Sequence, residues 1–211
     1  MIRRKATSGC GRTARRLAAA GLAAALAWTV SIAATAVSVS AQEPPQQQQG
    51  GGGGGSLEWA VKATYLYKFI PFIDWPASAF ASPASPIGVC VAGDDPFGGV
   101  LDQAVSGQRI GEHPLAVKHL QRVDRQSGCH VLYVWRGTDA QSLADMLDAV
   151  HGTPVLTVTD SVRDAQAKGI VNFVVEDNRV RFEIDNQAAA ENGLAISSKL
   201  LSLAVYVKPR A

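Results

Sequence analysis

The chain has 211 residues, of which 20 are Lys or Arg and 18 are Asp or Glu. Six of the basic residues and none of the acidic ones precede Ala41, so the remainder carries 14 basic against 18 acidic residues, a net charge of −4. This balance excludes both the basic patch that a nucleic-acid partner needs and a Lys/Arg cluster for lipid headgroups.

Residues 1–41 have the organisation of a secretory signal peptide. The basic residues lie within the first 16 positions, an uncharged Ala/Leu-rich run follows from Leu17, and Val39 and Ala41 occupy the two positions that a signal peptidase recognises. We therefore expect an exported protein that works outside the cytoplasm. The alternative is an uncleaved membrane anchor, because the run from Leu17 to Val39 is long enough to span a bilayer.

Residues 42–56, with the sequence QEPPQQQQGGGGGGS, predict a flexible linker. The segment has too little apolar surface to offset the entropy of ordering, and its expected span is roughly 20 Å. It spaces the following domain from a membrane or a neighbour, or it is merely a tolerated tail. Residues 57–211 are long enough for one domain with its own hydrophobic core.

The first half of this domain alternates helical and extended patterns. A helix is predicted from Leu57 to Trp75, disturbed at Pro71, and a short apolar strand from Ile87 to Ala92. The sequence Asp94-Asp95-Pro96-Phe97 predicts the start of a second helix, with an acidic cap and a proline in the first turn. Two further strands are predicted over Leu115–Leu120 and Val131–Trp135.

The second half continues this alternation. The predicted elements are an amphipathic helix (Thr138–Val150), a strand (Pro154–Thr159), a short helix capped by Asp160, a hairpin (Gly169–Asp185), a helix (Gln187–Asn192) and a final helix (Ser197–Val207). Asp177-Asn178 supplies the hairpin turn, because both residues tolerate positive φ. In the second arm Val180, Phe182 and Ile184 face inward and the charged residues between them face water.

Strands that alternate with helices predict an α/β fold. We expect a mostly parallel sheet covered by helices on both faces, with an added antiparallel hairpin. The sequence contains no internal repeat.

Five segments, in order, resemble the YfiR-like family of periplasmic regulators. They are AVKATYLYKFIPFIDWP (60–76), IGVCVAGDDPFGGVLDQAVSGQ (87–108), GCHVLYV (128–134), TPVLTVTDS (153–161) and GIVNFVVEDNRVRFEIDNQAAAENGLAISSKLLSLA (169–204). The resemblance implies a non-catalytic regulator that binds and represses the periplasmic sensor domain of a membrane diguanylate cyclase. It further implies an outer-membrane, peptidoglycan-binding lipoprotein as a second partner, which sequesters the repressor.

Two cysteines, Cys90 and Cys129, remain after the leader that contains Cys10 is removed. In an oxidising compartment they are the one available pair, and small neighbours at Gly88 and Ala92 leave room for a bridge. We expect a disulfide between them; the alternative is two free, buried thiols. Both positions also match a cysteine pair of the family, whereas a second pair found in some relatives is missing from this sequence.

The sequence offers no arrangement of residues typical of catalysis or of a bound cofactor. The four histidines, His113, His119, His130 and His151, are scattered without metal-ligand spacing. Asp94 and Asp95 follow a strand, where a ligand or metal site is conceivable, but a helix cap explains them better. We therefore predict a protein that is not an enzyme and holds neither metal nor cofactor.

The first helix carries two apolar stripes. One contains Leu66 and Ile70, and the second contains the candidate interface residues Tyr65, Phe69 and Phe72. Helical spacing predicts that Lys62 and Lys68 form a narrow polar strip between the two stripes. The second stripe is either core or a surface for another chain, a homodimer included; if it is a surface, its aromatics are partly exposed.

Two functions follow from these patterns. The first is repression of a membrane signalling protein by protein–protein contact. The alternative is a periplasmic small-molecule binding module, which would use the crevice beyond the carboxyl ends of the strands near Gly93–Pro96 and Thr159–Ser161.

Overall fold

An eight-stranded, mostly parallel sheet lies at the centre of the structure. The computed structural model describes residues 53–135, 141–160 and 167–211, all of which belong to a unit that extends from Gln48 to Ala211. The predicted signal peptide and most of the predicted linker lie outside the described residues. Among the described helices, none combines the length and the hydropathy that crossing a bilayer requires.

The elements have the following bounds. The helices are α1 (Gly53–Phe69), α2 (Gly99–Val105), α3 (Leu143–Ala149), α4 (Asn186–Glu191) and α5 (Ser198–Leu201). The strands are β1 (Ile73–Asp74), β2 (Ile87–Ala92), β3 (Arg109–Ile110), β4 (His113–Leu120), β5 (Val131–Val134), β6 (Leu156–Asp160), β7 (Val171–Glu176), β8 (Arg179–Asp185), β9 (Ala195–Ile196) and β10 (Tyr206–Lys208). Single 3₁₀ turns lie at Ile70–Phe72 and Ala77–Ala79.

The strand order in the large sheet is β10-β8-β7-β6-β5-β2-β4-β3. Strands β4, β2, β5, β6 and β7 run parallel to their neighbours, β7 and β8 form an antiparallel hairpin, and β10 runs parallel to β8. Strand β3 pairs antiparallel with β4, and β1 pairs antiparallel with β9 in a separate two-stranded sheet. The predicted α/β fold with a mostly parallel sheet and an added hairpin is confirmed.

Helices cover both faces of the sheet. All six residues of β2 and all four of β5 are buried, as expected of apolar strands with a covered face on either side. One face packs against α1, α2 and α4 in the larger core, to which Leu66 and Val89 belong. The opposite face packs against α3, where Met146 meets the cluster that contains Cys90 and Leu132.

The predicted hairpin and its turn agree with the structure. Asp177 and Asn178 have φ values of 47° and 60°, which allow a two-residue turn whose twist matches that of the flanking strands. In β8, Phe182 and Ile184 are buried and Val180 is half-buried. The inward face of β8 is therefore the one predicted from its alternation.

The predicted final helix from Ser197 to Val207 is wrong. Helix α5 ends at Leu201, and the chain then forms β10, which pairs with Glu183–Asp185 of β8. Val205, Tyr206 and Val207 are β-branched or aromatic residues, which favour extended backbone wherever a strand edge is available. The free edge of β8 provides that partner.

The predicted helix start at Asp94–Phe97 is also wrong. The Asp95 carboxylate accepts a hydrogen bond from the Phe97 amide at 2.8 Å, and Gly98 has a φ of 53°, so this segment forms a turn before α2 begins at Gly99. The Asp95 side chain therefore accepts from an amide of the turn, not from an amide in the first turn of a helix.

Several boundaries differ from the predictions by a few residues. Helix α1 begins at Gly53, so the last residues of the predicted linker are helical. Helix α3 begins at Leu143, after a capping box formed by Ser142 and Asp145, while the predicted start at Thr138 lies outside the described residues. The short strands β1, β3 and β9 were not predicted, because two-residue pairings leave no periodic signal.

Cys90 and Cys129 form the predicted disulfide, with their Cα atoms 5.7 Å apart. Gly88 makes the necessary close approach possible: a Cβ at this position would lie 2.3 Å from the Gly128 carbonyl oxygen. The amide of His130 donates to the Gly88 carbonyl at 2.8 Å, which continues the register of β2 and β5 up to the bridge. The disulfide therefore lies where two neighbouring central strands already meet.

We predict that removing the bridge lowers stability without changing the fold. The bridge joins residues separated by 39 positions. In the chain-entropy account, a loop of this size contributes about 4 kcal/mol to the free energy of unfolding. Urea unfolding of the Cys90→Ala/Cys129→Ala variant, in a Cys10→Ser background, measures the loss. Two thiols that react with a maleimide in the native, unreduced Cys10→Ser protein would contradict the bridge itself.

Candidate functional site

Lys62, in the middle of α1, is buried and ion-paired. Its side chain is 1% exposed, and its Nζ donates to Asp160 Oδ2 at 2.5 Å and also to Glu58 Oε1. Asp160 is the last residue of β6, and its side chain is 2% exposed. The polar strip expected at Lys62 is therefore wrong. The helix that Asp160 was predicted to cap lies outside the described residues.

Aromatic rings surround this ion pair. The Lys62 ammonium lies 4.5 Å from the centroid of the Trp59 ring, and the Tyr133 hydroxyl donates to Asp160 Oδ2 at 3.1 Å. Burial, followed by the charge of Asp160, raises the pKa of Tyr133, so the phenol stays protonated and acts as a donor. The rings of Trp135 and Phe97 lie against Trp59 at centroid distances of 5.3 Å and 5.8 Å.

This cluster lies at the carboxyl ends of the parallel strands. Strand β2 has β4 on one side and β5 on the other, so the strand order reverses here, as it does at many ligand sites of α/β proteins. The small-molecule alternative needs an open crevice at this position. Among the described residues, Trp59 of α1 packs here against the buried Phe97, and the small-molecule alternative stays a prediction.

A groove lies between the amino-terminal half of α1 and the β7–β8 hairpin, and its volume is about 590 Å³. We call it the α1–hairpin groove. The helix side consists of Leu57, Glu58, Val61 and Tyr65, and the hairpin side of Val175, Asn178, Arg179, Val180 and Arg181. The surface of α1 beside it, at Ala60 and Thr64, extends the same concavity. Apolar side chains and two arginines line this concave surface.

The three candidate interface residues divide between surface and core. Tyr65 and Phe72 are half-buried, as expected of a partly exposed stripe, and Tyr65 lines the α1–hairpin groove. Phe69 is only 1% exposed, so the exposure predicted for it is wrong. Its ring lies 5.0 Å from Phe182 and 6.0 Å from Phe173, because the hairpin folds over this part of α1.

Leu66 and Ile70 are buried, as expected of the first stripe. Because Phe69 is buried as well, a charged residue at position 69 would unfold the domain rather than report on an interface. The interface role of Tyr65 and Phe72 stays a prediction.

The other residues considered from the sequence do not converge. Asp95 lies 3.4 Å from His119, which also contacts Asp102 at 3.3 Å, and these side chains are largely exposed. His151 pairs with Glu191 on another part of the surface. Within the described ranges, no group of three or more His, Cys, Asp or Glu residues is arranged to hold a metal ion.

His130 anchors the segment that follows β1. Its Nδ1 accepts a hydrogen bond from the Gly88 amide at 3.1 Å, so its Nε2 carries the proton that is donated to the Ala79 carbonyl at 3.1 Å. Phe80 stacks between His130 and His113, with centroid distances of 4.7 Å and 4.4 Å. Burial lowers the pKa of His130, and the charges of His113 and Lys118 lower it further against the opposing effect of the Ala79 hydrogen bond.

Comparison with known protein families identifies the domain. Residues 59–205 match the DUF4154 family, described as YfiR/HmsC-like. The chain belongs to this family. Its members are periplasmic regulators, and the match extends from the first helix to the residue before β10. No curated protein matches the chain in a direct sequence comparison.

Sequence reasoning missed the two features that organise the site. Lys62 and Asp160 are 98 positions apart, and each had a plausible local explanation. The available signals were a lysine inside a helix that is apolar on two sides and an aspartate directly after an apolar strand. A buried charge of either kind needs a partner, but the sequence did not show that the two were partners.

We predict that Lys62 stabilises the domain chiefly through its buried ion pair with Asp160. Lys62→Met should lower the free energy of unfolding by about 3–5 kcal/mol. Asp160→Asn should cost less, because Glu58 still pairs with Lys62. The double variant should cost less than the sum of the two, since the two single variants remove the same ion pair. Urea unfolding curves measure all three.

The control is Lys68→Met, which removes an exposed lysine from the same helix and should change stability by no more than about 0.5 kcal/mol. Equal losses at positions 62 and 68 would contradict the structural importance of the buried pair.

We predict that stability falls in mild acid because of His130. The folded state holds His130 at a lowered pKa, so it binds fewer protons than the unfolded chain below the usual value of 6.5. The contribution is complete above pH 6.5 and is lost as the pH falls through the folded pKa. The stability difference between wild type and His130→Gln, measured by urea unfolding from pH 7.5 to 5, should shrink toward acid. A difference that is constant or that grows would contradict the prediction.

Proposed function

We propose that this protein represses a membrane diguanylate cyclase by binding the cyclase's periplasmic sensor domain. The observation that carries the proposal is membership of a family of periplasmic regulators over residues 59–205. Repression of this kind needs a surface and no chemistry. The α1–hairpin groove supplies a concave surface with partly exposed apolar side chains, which suits recognition of another protein.

Release from repression needs a competing partner. An outer-membrane lipoprotein that binds peptidoglycan is the proposed competitor, because it holds the repressor away from the inner membrane when it binds. A homodimer is compatible with this scheme if its interface leaves the cyclase-binding surface free. Export through residues 1–41 is part of the proposal, because the sensor domain lies outside the cytoplasm.

The proposal predicts that deletion of the gene raises cellular cyclic-di-GMP. Expression of the full chain in the deletion strain should lower it again, because the exported protein returns the cyclase to its inactive state. Expression of a variant that lacks residues 2–41 should not, since that protein stays in the cytoplasm. Cyclic-di-GMP is measured by mass spectrometry of cell extracts. An unchanged level in both the deletion and the complemented strain would contradict repression of a cyclase.

A further inference from the structure

We propose that the α1–hairpin groove binds a partner segment in which an apolar side chain is flanked by carboxylates. The proposal rests on the proposed function in that the partner is a protein, and it adds the place and the chemistry of contact. The apolar side chain inserts between α1 and the hairpin. The carboxylates pair with Arg179 and Arg181.

Apolar side chains of the groove are exposed to solvent, which is unfavourable unless another molecule covers them. Leu57 is 67% exposed and Val175 is 44% exposed, and both line the concavity together with Val61, Tyr65 and Val180. Single exposed apolar residues are common, but a contiguous set inside a concave surface marks a contact site. The volume of about 590 Å³ accommodates a large side chain together with its neighbours.

The charge of the groove determines which residues flank the apolar side chain of the bound segment. Arg179 and Arg181 are exposed, and neither forms an ion pair or hydrogen bond with any residue in the described ranges. Glu58, the carboxylate of the groove, is already paired with Lys62. The groove is therefore locally positive on a chain whose predicted mature part has a net charge of −4. Arginine forms bidentate hydrogen bonds with carboxylates, which favours an acidic partner segment.

Both walls of the groove are held in place by contacts within the domain. The Lys62–Asp160 ion pair holds α1 on the sheet, and the tight turn at Asp177-Asn178 holds the hairpin. The Tyr65 ring contacts Phe182 of the hairpin at a centroid distance of 5.7 Å, which joins the two walls. A preformed site loses little entropy when it binds, so a short segment is sufficient.

Two other occupants give different results in the test. The first is residues 42–52 of this chain, which carry one acid, Glu43, and no aliphatic or aromatic side chain for the apolar part of the groove. The second is another copy of this chain, which would make the groove a dimer interface.

The central experiment compares two charge reversals of equal size. Arg179→Glu/Arg181→Glu reverses the groove, and Arg122→Glu/Lys199→Glu reverses two exposed basic residues elsewhere. A third variant, Val61→Asp, places a charge in the apolar part of the groove. The exported proteins are purified, shown to unfold at the same urea concentration as wild type, and titrated against the purified sensor domain of the cyclase that responds to the gene deletion.

We expect the groove reversal and Val61→Asp to weaken binding on the order of 100-fold, and the control reversal to change it by less than about threefold. Repression of cyclic-di-GMP in the deletion strain should be lost in parallel. A partner whose carboxylates are replaced by lysine should bind the groove-reversal variant and should bind wild type only weakly. Folded groove variants that bind and repress as wild type does would overturn the proposal.

A second experiment does not depend on the cyclase. Two labelled, N-acetylated ten-residue peptides carry a central Phe-Leu, flanked by Asp and Glu in one and by Lys in the other, and their binding to the exported protein is measured by fluorescence anisotropy. The acidic peptide should bind more tightly, and the groove reversal should invert the preference. Equal binding of both peptides overturns the groove proposal even if repression is shown. Conversely, the acidic peptide could be preferred while cyclic-di-GMP stays unchanged on deletion of the gene. That result would support the groove proposal and contradict the proposed function.

Two further results would assign a different occupant. Tighter peptide binding after deletion of residues 43–52 would place the chain's own segment in the groove. Conversion of a dimer into a monomer by the groove reversal, seen by analytical ultracentrifugation, would place a second copy there. Either result overturns the partner assignment.

Discussion

The ion pair between Lys62 and Asp160 determines how α1 lies on the sheet. A helix with two apolar stripes can pack against a sheet in more than one rotation, because both stripes favour burial. A buried ammonium tolerates one rotation, the one that brings it to a carboxylate. In that rotation Phe69 enters the core and Tyr65 turns toward the β7–β8 hairpin, so the groove follows from the ion pair.

A second constraint acts on the opposite face of the sheet, the one that packs against α3. There the disulfide joins Cys90 to Cys129, and Gly88 allows the chain before β5 to approach without a steric clash. His130 adds two hydrogen bonds from the residue beside the bridge, one to β2 and one to the 3₁₀ turn after β1. The disulfide thus joins β2 to the chain before β5 on one face of the sheet, and the Lys62–Asp160 ion pair attaches α1 to the other face.

The same architecture supports the proposed role in protein recognition. At the carboxyl ends of the central strands, where α/β proteins often bind ligands, Trp59 of α1 packs against Phe97 and Trp135. The α1–hairpin groove lies elsewhere, between a helix and a hairpin that are joined by the contact of Tyr65 with Phe182. A regulator that works by contact benefits from such a surface, because binding then requires little ordering of either wall.

The sequence alone determined the elements whose signals are local. The apolar run of β2, the alternation of β8 and the Asp177-Asn178 turn depend on neighbouring residues, so the parallel sheet, the hairpin and the family resemblance were predictable. The cysteine pair was predictable because no other pairing was available. Strand β10 was not, since its three residues become a strand only by pairing with the edge of β8.

Tertiary structure alone decided which face of α1 is core and that the charges of Lys62 and Asp160 are buried as a pair. Helical periodicity shows that Tyr65, Phe69 and Phe72 belong to one stripe, but it does not show which of them the hairpin covers. Lys62 looked like surface because lysine usually is. Its burial depends on Asp160, 98 residues away along the chain, and contacts over such distances exist only once the sheet has assembled.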